Sequence, residues 1–262
     1  MPSAERQVFD FISRCENVRF CLETSAPHPC RKIVEYQVRD RGVRNYDEFQ
    51  LPEPWVGEID VAPILLVASN PSIGEDDHSC GAADDDEVWE SHHLAHGGGR
   101  RPYIIDGIYC TRPDGSAVKR VRYWMGARAR AVELIPARPV IPGRDYALTE
   151  IVHCKSPKEY GAPEAEATCA DRHMEKIMAI SGARIVIAVG AFAWRWFLKR
   201  GGNPPPNPLE EVIGGRPRLI VFTPHFSPNP KGPQRLSLRY SEATIKELQA
   251  SIRGLPHPES AL

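Results

Sequence analysis

No apolar run in this 262-residue sequence approaches the length of a membrane-spanning helix. The longest, from Ile185 to Trp194, falls well short of the roughly 20 residues that a bilayer requires. The first residues include Glu5, Arg6 and Asp10, where a signal peptide would need an unbroken apolar segment. We therefore expect a cytosolic chain that does not enter the membrane.

The sequence also lacks the short motifs that mark several common enzyme classes. It has no Walker phosphate loop, no G-x-G-x-x-G dinucleotide fingerprint, no H-E-x-x-H zinc motif and no zinc-deaminase signature. We therefore do not expect nucleotide hydrolysis on a P-loop, Rossmann-type dinucleotide binding or these zinc chemistries.

An excess of charge of one sign is missing too, because 33 basic residues nearly balance 34 acidic ones. The charges are nevertheless unevenly distributed. Residues 74–90 hold eight acids and no Lys or Arg, whereas residues 100–130 hold eight basic residues and residues 184–239 hold nine. Such clustering is compatible with a face that binds a polyanion such as DNA, or with solvated surface on two sides of the molecule.

Four apolar runs bounded by turn residues predict buried parallel strands, at 62–68, 146–152, 184–189 and 218–222. Helical patterns occupy 163–180 and 191–198, between these strands, and a further helix begins near Ala4. This alternation predicts an α/β fold, a three-layer α/β/α arrangement around a four-stranded, mainly parallel sheet. Ligands of such folds bind at the carboxyl ends of the strands.

We expect a single domain over residues 1–262. Residues 1–50 are predicted to form an amino-terminal helix and a Cys-containing loop packed on the rest of the domain. Residues 74–123, which are rich in glycine and charge, are predicted to be an elaborated active-site loop.

Two motifs follow the first and last predicted strands. Ala-Ser-Asn-Pro-Ser at 68–72 contains Asn70, and Thr-Pro-His-Phe-Ser-Pro at 223–228 contains His225. An amide can hold a water molecule, and a histidine can donate a hydrogen bond to a charged leaving group. Taken singly, an Asn-Pro is also an ordinary turn opener and a loop histidine an ordinary surface residue.

Together, the two motifs resemble the active-site motifs of the uracil-DNA glycosylase superfamily. Linking segments at 148–157 and 183–193 also look like that superfamily, so the resemblance covers about residues 50–240. Gln50-Leu-Pro-Glu-Pro and Gln234-Arg-Leu are similar to the bacterial family-five branch, near family four, although Asn70 replaces the alanine usual there. The resemblance implies hydrolysis of the bond between a deaminated base and its sugar in DNA.

The resemblance implies roles for individual residues. Asn70 would orient the attacking water, His225 would stabilise the departing base anion, and Asp106 would supply a carboxylate below the sugar, with Asp76 or Asp77 as the alternative. Residues around the base would be Ser69, Pro71, Ser72, Tyr103 and Glu150. The residues contacting DNA would be Ser227, Pro228, Lys231, Arg235, Leu236 and Arg239. Of these, Leu236 would act as a wedge that enters the gap left by the flipped base.

Seven cysteines are an odd number for disulfides, and in a cytosolic chain they are read as buried thiols or metal ligands. The iron-sulfur branches of the superfamily imply a structural [4Fe-4S] cluster. Its ligands would be Cys21, Cys30, Cys154 and Cys169, with Cys15 possible in place of Cys21.

The sequence thus predicts a monomeric DNA glycosylase that flips uracil out of DNA and hydrolyses its N-glycosidic bond without a catalytic metal. The alternative is a non-catalytic protein of the same fold that binds damaged or single-stranded DNA.

Overall fold

The structure is a computed structural model that describes residues 2–74, 77–93, 104–111, 117–198, 207–226 and 234–253. The α-helices are α1 (Ala4–Ser13), α2 (Glu16–Glu23), α3 (Arg31–Arg41), α4 (Asp86–His93), α5 (Arg122–Leu134), α6 (Ala162–Ile180), α7 (Gly190–Leu198) and α8 (Glu242–Arg253). The strands are β1 (Ile64–Ala68), β2 (Ile104–Ile105), β3 (Tyr109–Thr111), β4 (Ala117–Arg120), β5 (Tyr146–Glu150), β6 (Ile185–Val189), β7 (Leu209–Ile213) and β8 (Arg216–Thr223).

The central sheet has the strand order β5-β1-β6-β8-β7. The first four of these strands run parallel, and β7 pairs antiparallel with β8. All residues of β1, β5 and β6 are buried, which explains why these strands read as continuous apolar runs. The sheet has five strands rather than the four predicted, because the edge strand β7 alternates between exposed and covered positions and contains two glutamates.

Helices cover both faces of this sheet, which confirms the predicted three-layer α/β/α fold. One core contains apolar side chains of α1, α2, α3, α6 and α7 packed on one face. A second core packs α5 and α8 on the other face. None of the helices in the described residues has the length and apolar character needed to cross a bilayer.

The segment predicted as an active-site loop, residues 74–123, has secondary structure of its own. It contains α4, a small antiparallel sheet of β2, β3 and β4, and the start of α5. The amino-terminal region likewise forms three helices rather than one helix and a loop. Of these, α1 and α3 pack on α6.

Candidate active site

The parallel strands bring both sequence motifs to one edge of the sheet. Asn70 lies two residues beyond β1, Glu150 ends β5, and His225 lies two residues beyond β8. Gly190 begins α7 directly after β6 with a φ of 79°, and a Cβ added there would lie 3.3 Å from the Cβ of His225. The close approach of this backbone to the histidine explains the glycine.

Asn70 is held by three hydrogen bonds from its amide nitrogen. Its Nδ2 donates to Ser156 Oγ at 2.9 Å, to Pro71 O at 3.1 Å and to Cys154 O at 3.4 Å. These acceptors fix the orientation of the amide and leave Oδ1 as its remaining polar atom. An amide oxygen held in this way can accept a hydrogen bond from a water molecule.

The residues next to Asn70 in the first motif differ in exposure. Ser69 and Pro71 are buried, and Ser72 is exposed. Ser69 O accepts from Val152 N at 2.9 Å, and Pro71 O accepts from Ser156 N at 3.2 Å. The motif is therefore joined along its backbone to the segment that follows β5.

His225 is exposed on one side and stacked on Tyr123 on the other. Their ring centroids are 6.0 Å apart with an interplanar angle of 20°. Gln234 Nε2 donates to His225 O at 2.9 Å and holds the backbone of the loop. Partial burial lowers the pKa of His225, so the ring is neutral at neutral pH and carries one N–H donor.

Asp106 follows the short strand β2 and not a strand of the central sheet. Asp106 is exposed in the turn between β2 and β3, with a φ of 55° that suits an aspartate in a turn. The adjacent Gly107 packs directly against Arg128 and against Tyr146, at the amino end of β5. Within the described part of the chain, no hydrogen bond or ion pair joins Asp106 to Asn70 or to His225, so its catalytic role stays a prediction.

Asp77, the alternative carboxylate, is buried close to the first motif. Its Oδ1 lies 3.2 Å from Lys155 Nζ, and its Oδ2 accepts from Gly74 N at 2.7 Å. Burial alone would raise the pKa of Asp77, but Lys155 and the Gly74 N–H together hold it below its ordinary value. Lys155 also pairs with Glu53 at 3.0 Å. Asp77 is therefore an ionised carboxylate within a buried ion network.

Glu150 has the opposite ionisation behaviour. It is 6% exposed, and burial together with the neighbouring Glu53 raises its pKa well above the ordinary value, against the attraction of Lys155. Burial and the Glu150 carboxyl group also raise the pKa of Tyr123 well above its ordinary value. The pKa values of Asp77 and Glu150 are therefore shifted in opposite directions at this edge of the sheet.

The turn after His225 corrects one predicted DNA contact. Leu236 is fully buried in the core under α5 and α8, so it packs in the core and is not a wedge residue. Leu238, in the same turn, is 67% exposed. Arg235 is exposed as predicted, but the guanidinium of Arg239 lies 5.4 Å from the ring of Trp194 and is half-buried. The predicted residues Asp76, Tyr103, Ser227, Pro228 and Lys231 lie outside the described residues.

The predicted cluster cysteines are all buried. Burial raises the pKa of the Cys154 thiol, and the next contributions come from Cys15, Cys30 and Cys169. The pKa of Cys169 is raised by burial and then by Cys15 and Cys30. Cys21 interacts with Cys15 and Cys30 but does not appear among the neighbours of Cys154 or Cys169.

A backbone N–H and a histidine ring contact two of these sulfur atoms. His153 N donates to Cys169 Sγ at 3.4 Å, and His173 Nε2 lies 3.7 Å from Cys15 Sγ. No three His, Cys, Asp or Glu side chains of the described ranges converge closely enough to hold a single metal ion. A cubane cluster needs no such convergence, because each thiolate binds a separate iron.

Sequence reasoning missed four residues of this edge: Glu53, Tyr123, Lys155 and Ser156. Glu53 lies in the segment that resembles family five, and Lys155 and Ser156 directly follow Cys154. Nothing in their local pattern separates them from surface residues, since their role depends on contacts between distant segments. No family model and no curated protein matches the chain.

Proposed function

We propose that the protein is a DNA glycosylase that extrudes uracil and hydrolyses its N-glycosidic bond. The observation that carries the proposal is the placement of Asn70 and His225 at one edge of the parallel sheet, Asn70 after β1 and His225 after β8. One is an amide held in place for a water molecule, and the other is a neutral histidine with a free face. Hydrolysis with departure of a base anion requires an oriented water molecule and a hydrogen-bond donor to the anion, and these two side chains can supply them.

The reaction assigns a step to each group. Asn70 Oδ1 orients a water whose oxygen bonds to C1′ while the bond from C1′ to the base nitrogen breaks. The electron pair of that bond passes to the base, whose oxygen accepts a hydrogen bond from His225, and the proton of the water passes to solvent. Asp77 is the carboxylate that we favour for stabilising the positive charge of the sugar, since it is ionised and near the first motif.

DNA is held in this proposal by the exposed side of the second motif and the turn that follows it. Arg235 and the predicted Lys231 contact phosphates, and Leu238 takes the place of Leu236 as the apolar residue that fills the gap left by the base. Arg239 contributes through its contact with Trp194 rather than through an exposed charge.

We also propose a structural [4Fe-4S] cluster held by Cys15, Cys30, Cys154 and Cys169. Cys154 interacts with the other three and also with Cys80, and the four proposed ligands come from four places: before α2, before α3, after β5 and within α6. When bound, the cluster would tie the amino-terminal helices to the segment after β5. Cys154 supports both sites, because its carbonyl oxygen accepts a hydrogen bond from Asn70.

The test is excision from labelled oligonucleotides with one uracil, single-stranded and in duplex, followed by alkaline cleavage. The protein should cleave uracil-containing strands and leave thymine-containing controls intact. His225→Ala should lower the single-turnover rate on the order of a hundredfold, about 3 kcal/mol, with little change in DNA affinity. Binding without abasic sites would instead support the non-catalytic alternative.

A further inference from the structure

A glutamine in the middle of α3 is fully buried and joins two distant parts of the chain. Gln37 Nε2 donates to Lys155 O at 3.2 Å, and Gln37 Oε1 accepts from Gln50 N at 2.9 Å. A backbone N–H can only donate and a carbonyl can only accept, so these two partners dictate the orientation of the amide.

The two hydrogen bonds of Gln37 belong to a closed ring of polar contacts that begins and ends at Lys155. From Gln37 the ring passes to Gln50, whose Nε2 donates to Gly74 O at 2.6 Å. Gly74 N donates to Asp77 Oδ2 at 2.7 Å, and Asp77 Oδ1 lies 3.2 Å from Lys155 Nζ. The ring therefore joins the segment that follows β1 to the segment that follows β5.

The peptide group between Lys155 and Ser156 is held from both sides. Its carbonyl, Lys155 O, accepts from Gln37, and its N–H, Ser156 N, donates to Pro71 O at 3.2 Å. A peptide group is planar, so these two bonds together fix its orientation. The hydroxyl of Ser156 accepts the 2.9 Å hydrogen bond from Asn70 Nδ2, and the position of Asn70 therefore depends on this peptide group.

Apolar contacts already attach α3 to the rest of the domain. Ile33 and Val34 are buried, and a Cβ added at Gly161, before α6, would lie 2.8 Å from Ile33 Cγ1. A buried amide costs free energy unless its two ends are hydrogen-bonded, and it packs no better than an apolar side chain of the same size. The amide of Gln37 therefore serves the two segments that it joins rather than the attachment of the helix.

We propose that Gln37 is a positioning residue of the candidate active site, which holds the segments after β1 and β5 in the arrangement that orients Asn70. This inference rests on the proposed function. Gln37 lies outside the residues that resemble the glycosylase superfamily, and its contacts alone indicate this role. The amino-terminal region, predicted only to pack on the rest of the domain, thereby contributes to the site.

The experiment measures single-turnover excision of uracil from a single strand by Gln37→Met, whose side chain has a similar length and forms neither hydrogen bond. The rate constant should fall about tenfold, because Asn70 loses its fixed orientation. DNA affinity, measured by fluorescence anisotropy, should not change. Since Gln37 acts through Asn70, combining Gln37→Met with Asn70→Ala should cost less than the product of the two single losses.

Val34→Ala is the matched control. Val34 is buried in the same helix, and its truncation should lower the urea midpoint of unfolding without changing the rate constant. Hydrogen exchange supplies a measurement that needs no activity. The backbone amides of Gln50 and Ser156 should exchange faster in Gln37→Met than in Val34→Ala, because each depends on a contact that Gln37 makes or fixes.

Three results would overturn the role of Gln37: an active wild type with an equally active Gln37→Met, single losses that multiply in the double variant, or unchanged exchange at Gln50 and Ser156. If Gln37→Met fails to fold, Arg41→Met combined with Gln50→Met removes two side-chain donors to Gly74 O and should lower the rate in the same way. Full activity of that pair would overturn the proposal as well.

A wild type that excises no uracil would overturn the proposed function itself. Hydrogen exchange would then still decide whether Gln37 holds the two segments together.

Discussion

The side-chain amide of Asn70 donates a 2.9 Å hydrogen bond to the hydroxyl of Ser156, from a segment that lies far away in the sequence. The same amide donates to the carbonyl of Cys154. The orientation of Asn70 therefore depends on how the chain runs immediately after β5. This contact links the first motif to the segment that holds Cys154, one of the four proposed cluster cysteines, and Lys155, which pairs with Glu53 and Asp77.

Ser156→Ala should loosen Asn70 without removing it. We expect the single-turnover rate to fall about tenfold and the free energy of unfolding to fall by about 1 kcal/mol, the usual contribution of one hydrogen bond. DNA affinity, measured by fluorescence anisotropy, should not change. Ser251→Ala serves as the control, since its hydroxyl donates to Leu248 O within α8. A Ser156 variant as active as the control would show that the other two acceptors suffice.

Replacing the two candidate carboxylates should separate their roles. Asp77→Asn removes a charge beside the first motif, and we expect a rate loss on the order of a hundredfold. Asp106→Asn changes an exposed turn residue and should leave the rate near the wild-type value. Thermal unfolding of both variants checks that the ion pair of Asp77 with Lys155 is not needed for folding. The reverse pattern would restore Asp106 as the catalytic carboxylate.

Glu150 should make the stability of the fold fall as the pH rises. Its pKa in the folded state is raised above the ordinary value of 4.5, so the folded protein holds a proton that the unfolded chain releases. The stabilisation is complete below that ordinary value and is lost progressively as the pH rises towards the folded pKa. Urea unfolding of Glu150→Gln should therefore show a shallower decline with pH than the wild type. Parallel curves would mean that Glu150 is ionised in the fold.

Leu236 and Leu238 should respond in opposite ways to replacement by alanine. Leu236→Ala opens a cavity in the core under α5 and α8 and should lower the free energy of unfolding by about 2–5 kcal/mol. Leu238→Ala should leave stability unchanged and slow excision from duplex more than from single strands, where no partner base holds the uracil. Equal slowing on both substrates would remove Leu238 from base flipping.

If Cys15, Cys30, Cys154 and Cys169 hold a cluster, single replacements of these residues should lose iron. Protein purified anaerobically should be brown and contain iron and sulfide, and Cys15→Ser, Cys30→Ser, Cys154→Ser and Cys169→Ser should each lose them. Cys21→Ser tests the choice between Cys15 and Cys21 and should retain iron. Cys80→Ser is the buried comparison and should retain iron, because its thiol donates to Ser13 O and it is not one of the four proposed ligands. Colourless wild-type protein without iron would return all these residues to the role of buried thiols.

The strand pattern was readable from the sequence because strands covered on both faces are continuously apolar. That signal located β1, β5, β6 and β8 to within two residues, and the motifs at their ends placed Asn70 and His225 at one edge. The edge strand β7 and the helices with mixed surfaces lack the signal, since their exposed faces break the apolar pattern.

Tertiary structure alone decided which polar residues join those two motifs. The sequence favours Asp106 as the carboxylate, with Asp76 or Asp77 as the alternative, but of Asp77 and Asp106 only Asp77 is buried against Lys155 near the first motif. The pKa of Glu150 is raised because folding removes this carboxyl group from water and places Glu53 beside it. Leu236 and Leu238 differ because a turn points one side chain into the core and the other outward. Local sequence determines which residues can form strands and turns, whereas burial and charge pairing depend on distant segments that only folding brings together.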